Sequence, residues 1–190
     1  MRLFLALLVL IFNLQSLSKA DDIRDFEIDG MSLGDNLLNY FTKNEIINNL
    51  AQYYNDNEYS VTELDSINPD YFLIQVHYKK EGKKFTIYAL DGLFKIENTQ
   101  QCINKKNNIA DDMSSVFKNT DRVDSPNAKM ASGHGLMPNI KFFFDTGDFA
   151  EVTCYDYNKQ TEDERGWVDH GRVSLATKKL SSWIINKAYK

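Results

Sequence analysis

Residues 21–190 predict an α+β domain, with an antiparallel sheet of about five to six strands, helices mainly on one face, and the order ααβββ-αβββα. Three observations carry this expectation. Two pairs of alternating apolar–polar runs are joined by short turns, the mark of β-hairpins. Helical periodicity is confined to separate stretches, several of them opened by a capping residue. Strand runs interleaved with isolated helices favour an antiparallel sheet covered mostly on one side.

The chain opens with Arg2, an apolar run from Leu3 to Phe12, and Ser18-Lys19-Ala20, which places small residues where a signal peptidase needs them. A spanning helix needs about 20 predominantly apolar residues, about twice this run, so residues 1–20 read as a cleaved secretory signal and not as an anchor. The mature chain then begins at Asp21. Losing Arg2 and Lys19 takes the formal charge from −5 to −7. That balance argues against nucleic acid and anionic lipid as partners. An exported chain with only Cys102 and Cys154 reads first as carrying one disulfide between them.

Taken in order, Phe26 to Ile28 is extended and Gly30 marks a turn. Ser32 and Asp35 resemble a capping pair for a short helix through Phe41. Thr42 and Glu45 form a capping box for a second helix, with Ile46, Ile47, Leu50, Ala51 and Tyr54 on one buried face. Strands follow at Glu58–Leu64, Tyr71–Lys79 and Phe85–Leu90, with a kink or bulge expected at Asp91-Gly92 before Phe94 and Ile96. Residues 100–118 have helical spacing, and Cys102, Ile109, Met113 and Val116 share a face. Residues 121–138 contain Pro126, Gly133, Gly135 and Pro138 and read as a long mobile loop. A second hairpin joins Ile140–Asp145 to Phe149–Tyr157, and a polar loop, Lys159 to Gly166, precedes a strand from Trp167 to Ala176. Thr177 caps a last helix that offers Leu180, Trp183, Ile184 and Ala188 to the sheet.

Catalytic motifs are sparse. The chain has no G-x-S-x-G elbow, and Ser132-Gly133-His134-Gly135 is turn chemistry. His77, His134 and His170 lack metal-ligand spacing, and Asp145-Thr146-Gly147-Asp148 is explained as a hairpin turn, so no metal or cofactor is expected. Strand alternation sends Asp169 and His170 to opposite faces, which weakens an acid–base dyad. One surface stands out. The face turned away from the helices carries Gln75, His77, Lys79, Thr153, Tyr155, Tyr157, His170, Arg172 and Ser174, a mixture suited to recognition. The expected binding residues are therefore Tyr155, Tyr157, His170, Arg172 and His77, with the 121–138 loop as a flap.

The runs Asp22 to Leu38, Glu151 to Tyr157 and Asn186 to Tyr189 resemble a family of exported proteins of streamlined marine alphaproteobacteria for which no activity is known. The resemblance implies a periplasmic location. Residues 28–97, beginning Ile28-Asp-Gly-Met-Ser-Leu-Gly and continuing as two helices and three strands, are similar to the ααβββ unit of outer-membrane assembly lipoproteins and β-lactamase-inhibitor-type proteins. Those are binding modules. The chain departs from them in having no lipidated Cys and no Leu-Gly-x-Pro ending to the first helix. The function expected is a non-catalytic binding or envelope-interaction module whose partner is a protein or small ligand of the envelope. The rivals are a small periplasmic hydrolase using His170 or His134, and an inhibitor of an envelope enzyme.

Overall fold

Pairing between strands distant in the chain organises the computed structural model, which describes residues 22–190; the expected signal peptide lies outside the described residues. Two single-turn 3-10 helices, Ile23–Asp25 and Leu37–Asn39, precede α1 (Lys43–Asn48), β1 (Leu50–Ala51) and β2 (Ser60–Leu64). Next come β3 (Leu73–Glu81), β4 (Lys84–Lys95) and α2 (Thr99–Val116). After them the chain forms β5 (Asp121–Ser125), β6 (Gly135–Leu136), β7 (Asn139–Phe143) and β8 (Phe149–Tyr157). It ends with α3 (Lys159–Arg165), β9 (His170–Ala176) and α4 (Lys178–Asn186).

The sheet is antiparallel and open, in the order β1-β2-β3-β4-β9-β8-β7-β5, with β6 pairing the end of β8. Its nine strands exceed the expected five to six. The surplus comes from β1, β5 and β6. Residues 121–138 are not one loop, because β5 pairs β7 from Asp121↔Phe143 to Ser125↔Asn139. Beyond it, Met130 N–H donates to the Gly135 carbonyl and Met137 N–H to Ala128, which ties the presumed flap into a small hairpin.

One face holds the main core. Ile74, Val76, Leu90, Phe94, Val152, Cys154, Val173 and Leu175 pack there under α2, α1 and the N-terminal turns. Helix α2 is held to the sheet covalently, as Cys102 and Cys154 form a disulfide with Cα atoms 6.0 Å apart. Two glycines let aromatic rings lie flat on this face. A Cβ at Gly171 would stand 2.0 Å from the Phe94 ring, and one at Gly92 would stand 2.7 Å from Tyr71. The strand around Asp91-Gly92 is thus continuous, and the register shift falls at His77/Tyr78 opposite Tyr88 instead.

On the other face, a helix among the described residues packs at one corner. There α4 and the 54–61 segment bury Tyr54, Tyr59, Val61, Ala89, Ala176, Leu180, Trp183 and Ala188 as a second, smaller core. The helix expected through Tyr54 is shorter than its periodicity suggests. α1 stops at Asn48, Ile47 and Leu50 are exposed, and Tyr54 turns to this second core. Pairing of Leu50↔Thr62 and Ala51↔Val61 wins over helical propensity. The polar segment from Lys159 is likewise a helix, opened by the Asn158 side chain accepting from Thr161 N–H and closed by Gly166 at φ 67°.

Candidate functional site

Strand register builds a polar row across the second face. From β2 to β7 the aligned residues are Glu63, Gln75, Asp91, Ser174, Glu151 and Lys141. Beside it runs Leu93–Arg172–Thr153–Asn139. Most of the central members are buried, including Asp91, Glu151, Thr153, Asn139 and Ser174.

Asp91 is the hub. His77 Nε2 lies 3.0 Å from Asp91 Oδ2, and Tyr54 Oη lies 2.7 Å from His77 Nδ1. Since the carboxylate can only accept, His77 donates to it through Nε2, while Nδ1 meets the Tyr54 hydroxyl. Arg172 Nε stands 3.7 Å from Asp91 Oδ1, an ion pair without hydrogen-bond geometry. Burial pushes Asp91 upward, but Arg172, the His77 contact and the neighbouring Ser174 hydroxyl outweigh it and hold the carboxyl at about 2. Ser174 acts there by proximity, since its Oγ lacks hydrogen-bond geometry to any group among the described residues. Arg172 is raised, because Tyr155, Asp91 and Glu151 together overcome the burial penalty on its charge. Burial, reinforced by Tyr189 and Asp91, pushes the Tyr54 phenol well above its ordinary range.

From Arg172 an unbroken series of rings runs to the edge of the face. The guanidinium lies 4.6 Å above Tyr155, and His170 stacks on Tyr155 at 4.7 Å with 10° between planes. Tyr157 follows, 6.1 Å from His170, then Trp167 at 5.2 Å, then His134 at 5.3 Å from Trp167. His170 Nδ1 donates to the Val168 carbonyl at 3.0 Å, and burial pushes the imidazole below its ordinary range. The outer end is open to solvent, with Trp167 40% and Val168 67% exposed.

The expected binding residues therefore share one face but fall into two environments. His77 and Arg172 belong to the inner polar row with Asp91, while Tyr157 and His170 belong to the outer ring series, and Tyr155 joins the two. Asp169 diverges from His170 as alternation requires, accepting from Tyr157 N–H at 2.8 Å. Asp91, Glu151, Tyr54 and Trp167 were not among the expected site residues. A lone acid inside the apolar run Ala89-Leu-Asp-Gly-Leu-Phe94 was the available sign, since a buried carboxylate needs a partner. His134 meets the Thr161 hydroxyl at 3.1 Å, and the hydrogen bonds of His134 and His170 given by the structure go to no carboxylate.

Five of the buried side-chain polar atoms without a hydrogen-bond partner lie in these two rows: Asn139 Oδ1, Glu151 Oε1, Thr153 Oγ1, Arg172 Nε and Ser174 Oγ. Each such atom costs about 1–3 kcal/mol, so stability is given up where the face is most polar. Among the described residues no cluster of three or more His, Cys, Asp or Glu side chains is arranged to hold a metal ion. Compared with known proteins, the chain matches no family model, no curated protein and no solved structure.

Proposed function

We propose that the chain is an exported, non-catalytic recognition protein that engages a protein or small ligand of the cell envelope through the outer end of its second sheet face. The observation that carries this reading is the continuous ring series from Arg172 to His134, anchored on buried charge and ending beside exposed Trp167 and Val168. Rigid aromatic side chains with one buried and one open side are the groups that dominate contact surfaces. Arg172, held by Asp91, packs on Tyr155 and helps to keep the first ring in place before a partner arrives. The Tyr54–His77–Asp91 chain is the one arrangement that favours an enzyme. Its terminal phenol is pushed away from ionisation and its carboxylate is matched by Arg172, which suits positioning better than proton transfer.

The test is affinity capture from a periplasmic extract, comparing the mature protein with Trp167→Ala and Val168→Asp. Both positions are exposed, so the fold should survive, as circular dichroism would check. Partners held by the wild type should fall at least tenfold in both variants. Recovery at equal levels would refute the surface, and ester or peptide hydrolysis abolished by His77→Asn would replace binding with catalysis.

A further inference from the structure

A cavity of about 300 Å³ lies on the opposite side of the sheet, between α2 and the N-terminal segment. Its apolar wall is made by Phe94, Tyr71, Ile109, Met113, Val173 and Leu175. The two glycines described above set the positions of two of its wall rings, because any side chain at Gly92 or Gly171 would displace Tyr71 or Phe94. The charged residues lining it are Glu27, Asp70 and Lys105. Glu27 and Asp70 are exposed at the rim, where water and salt screen them. Lys105 is half-buried, and its ammonium stands 4.4 Å from the centre of the Phe94 ring, against the cavity wall. Among the described residues no carboxylate lies within ion-pair distance of it, although the ammonium of Lys159 on α3, fully on the surface, has one at 2.9 Å.

We propose that this cavity binds a single-chain amphiphile with an anionic head, a medium-chain carboxylate, with its tail among the α2 and β9 side chains and its head on Lys105. Size supports the assignment. An apolar cavity of about 150 Å³ holds benzene, so twice that volume takes about twelve non-hydrogen atoms, the count in decanoate. Binding sites of this kind are apolar hollows with a few placed polar groups, and a lysine at the mouth of an apolar slot selects a carboxylate over a neutral or cationic head. The cavity and the ring series lie on opposite faces, so this proposal stands apart from the surface reading above.

The experiment is titration calorimetry of the mature, disulfide-bonded protein with decanoate, decanol and decyltrimethylammonium, all kept below micelle-forming concentrations. Decanoate should bind at one site with a Kd on the order of 10–100 µM. Decanol should bind about tenfold more weakly, and the ammonium amphiphile more weakly still. Lys105→Gln should bring decanoate down to the level of decanol, while Met113→Trp and Ile109→Phe, which fill the cavity from half-buried positions, should abolish binding of all three. Thermal unfolding of the two filling variants checks that they fold; if only one does, that one decides. Equal binding of the three amphiphiles, or the same decanoate affinity in Lys105→Gln, would overturn the head-group assignment. Absence of saturable binding, or full binding in the filled variants, would overturn the site.

Discussion

Removing the negative charge of Asp91 should destabilise the protein in a pH-dependent way. The carboxyl sits at about 2 in the folded chain against an ordinary 3.8. At 1.36 kcal/mol per pH unit, that difference is worth about 2–3 kcal/mol, and Asp91 is 4% exposed, so solvent screening takes little from it. The folded value is depressed. The contribution is therefore complete above pH 3.8 and is lost as pH falls towards 2. Asp91→Asn keeps an acceptor for His77 Nε2 but leaves Arg172 with a weakened counter-charge, which should cost about 3–5 kcal/mol at pH 7. Urea unfolding followed through Trp167 and Trp183 would give the stability of both proteins between pH 7 and pH 2. The gap between them should narrow by about 2–3 kcal/mol across the acid range. A gap that stays constant would show that Asp91 is not held ionised by Arg172 and His77, and the account of the polar row would fall with it.

Reducing the Cys102–Cys154 bond, or replacing both cysteines by alanine, should lower stability by about 4 kcal/mol for a cross-link spanning 52 residues. In a domain of this size the melting temperature should then drop by about 8–16 °C, readable by circular dichroism with and without reductant. Gly171→Ala should cost at least about 1–3 kcal/mol through collision with Phe94, and adding Phe94→Leu should restore part of the loss in chemical denaturation. Thr177→Ala removes the side-chain acceptor 3.2 Å from Leu180 N–H. It should cost about 1 kcal/mol in the same assay and loosen the second core around Trp183.

The hairpin of β3 and β4 and the long helix α2 were legible from their apolar spacing, while the Asn98 cap of the helix was not read from the sequence. Three elements were hidden for a common reason. β5 is an edge strand whose Asp121, Arg122, Val123 and Asp124 are all exposed, so it has no buried side to give an alternating pattern. α3 is polar throughout and buries only Thr161. β1 is decided by pairing with β2 and not by its own residues. The site divides the same way. Which side chains share the second face follows from alternation alone, so Tyr155, His170 and Arg172 could be grouped. That Asp91 lies between His77 and Arg172 depends on register with β3 and β9, which a single strand does not encode.

The position of β9 governs how the chain can be completed. Among the described residues it is the last strand in chain order, yet it lies between β4 and β8 and is the only strand that links β1–β4 to the strands that follow α2. Taking residues 170–176 out of the pairing scheme leaves two sets of strands joined through α2, with β4 and β8 each losing a neighbour. Closure is then an insertion rather than an addition at the margin, and Arg172 arrives with it to neutralise Asp91. A chain ending before His170 would lack both the seam and the charge that the waiting carboxylate requires, so completion of the sheet and completion of the polar row are one event.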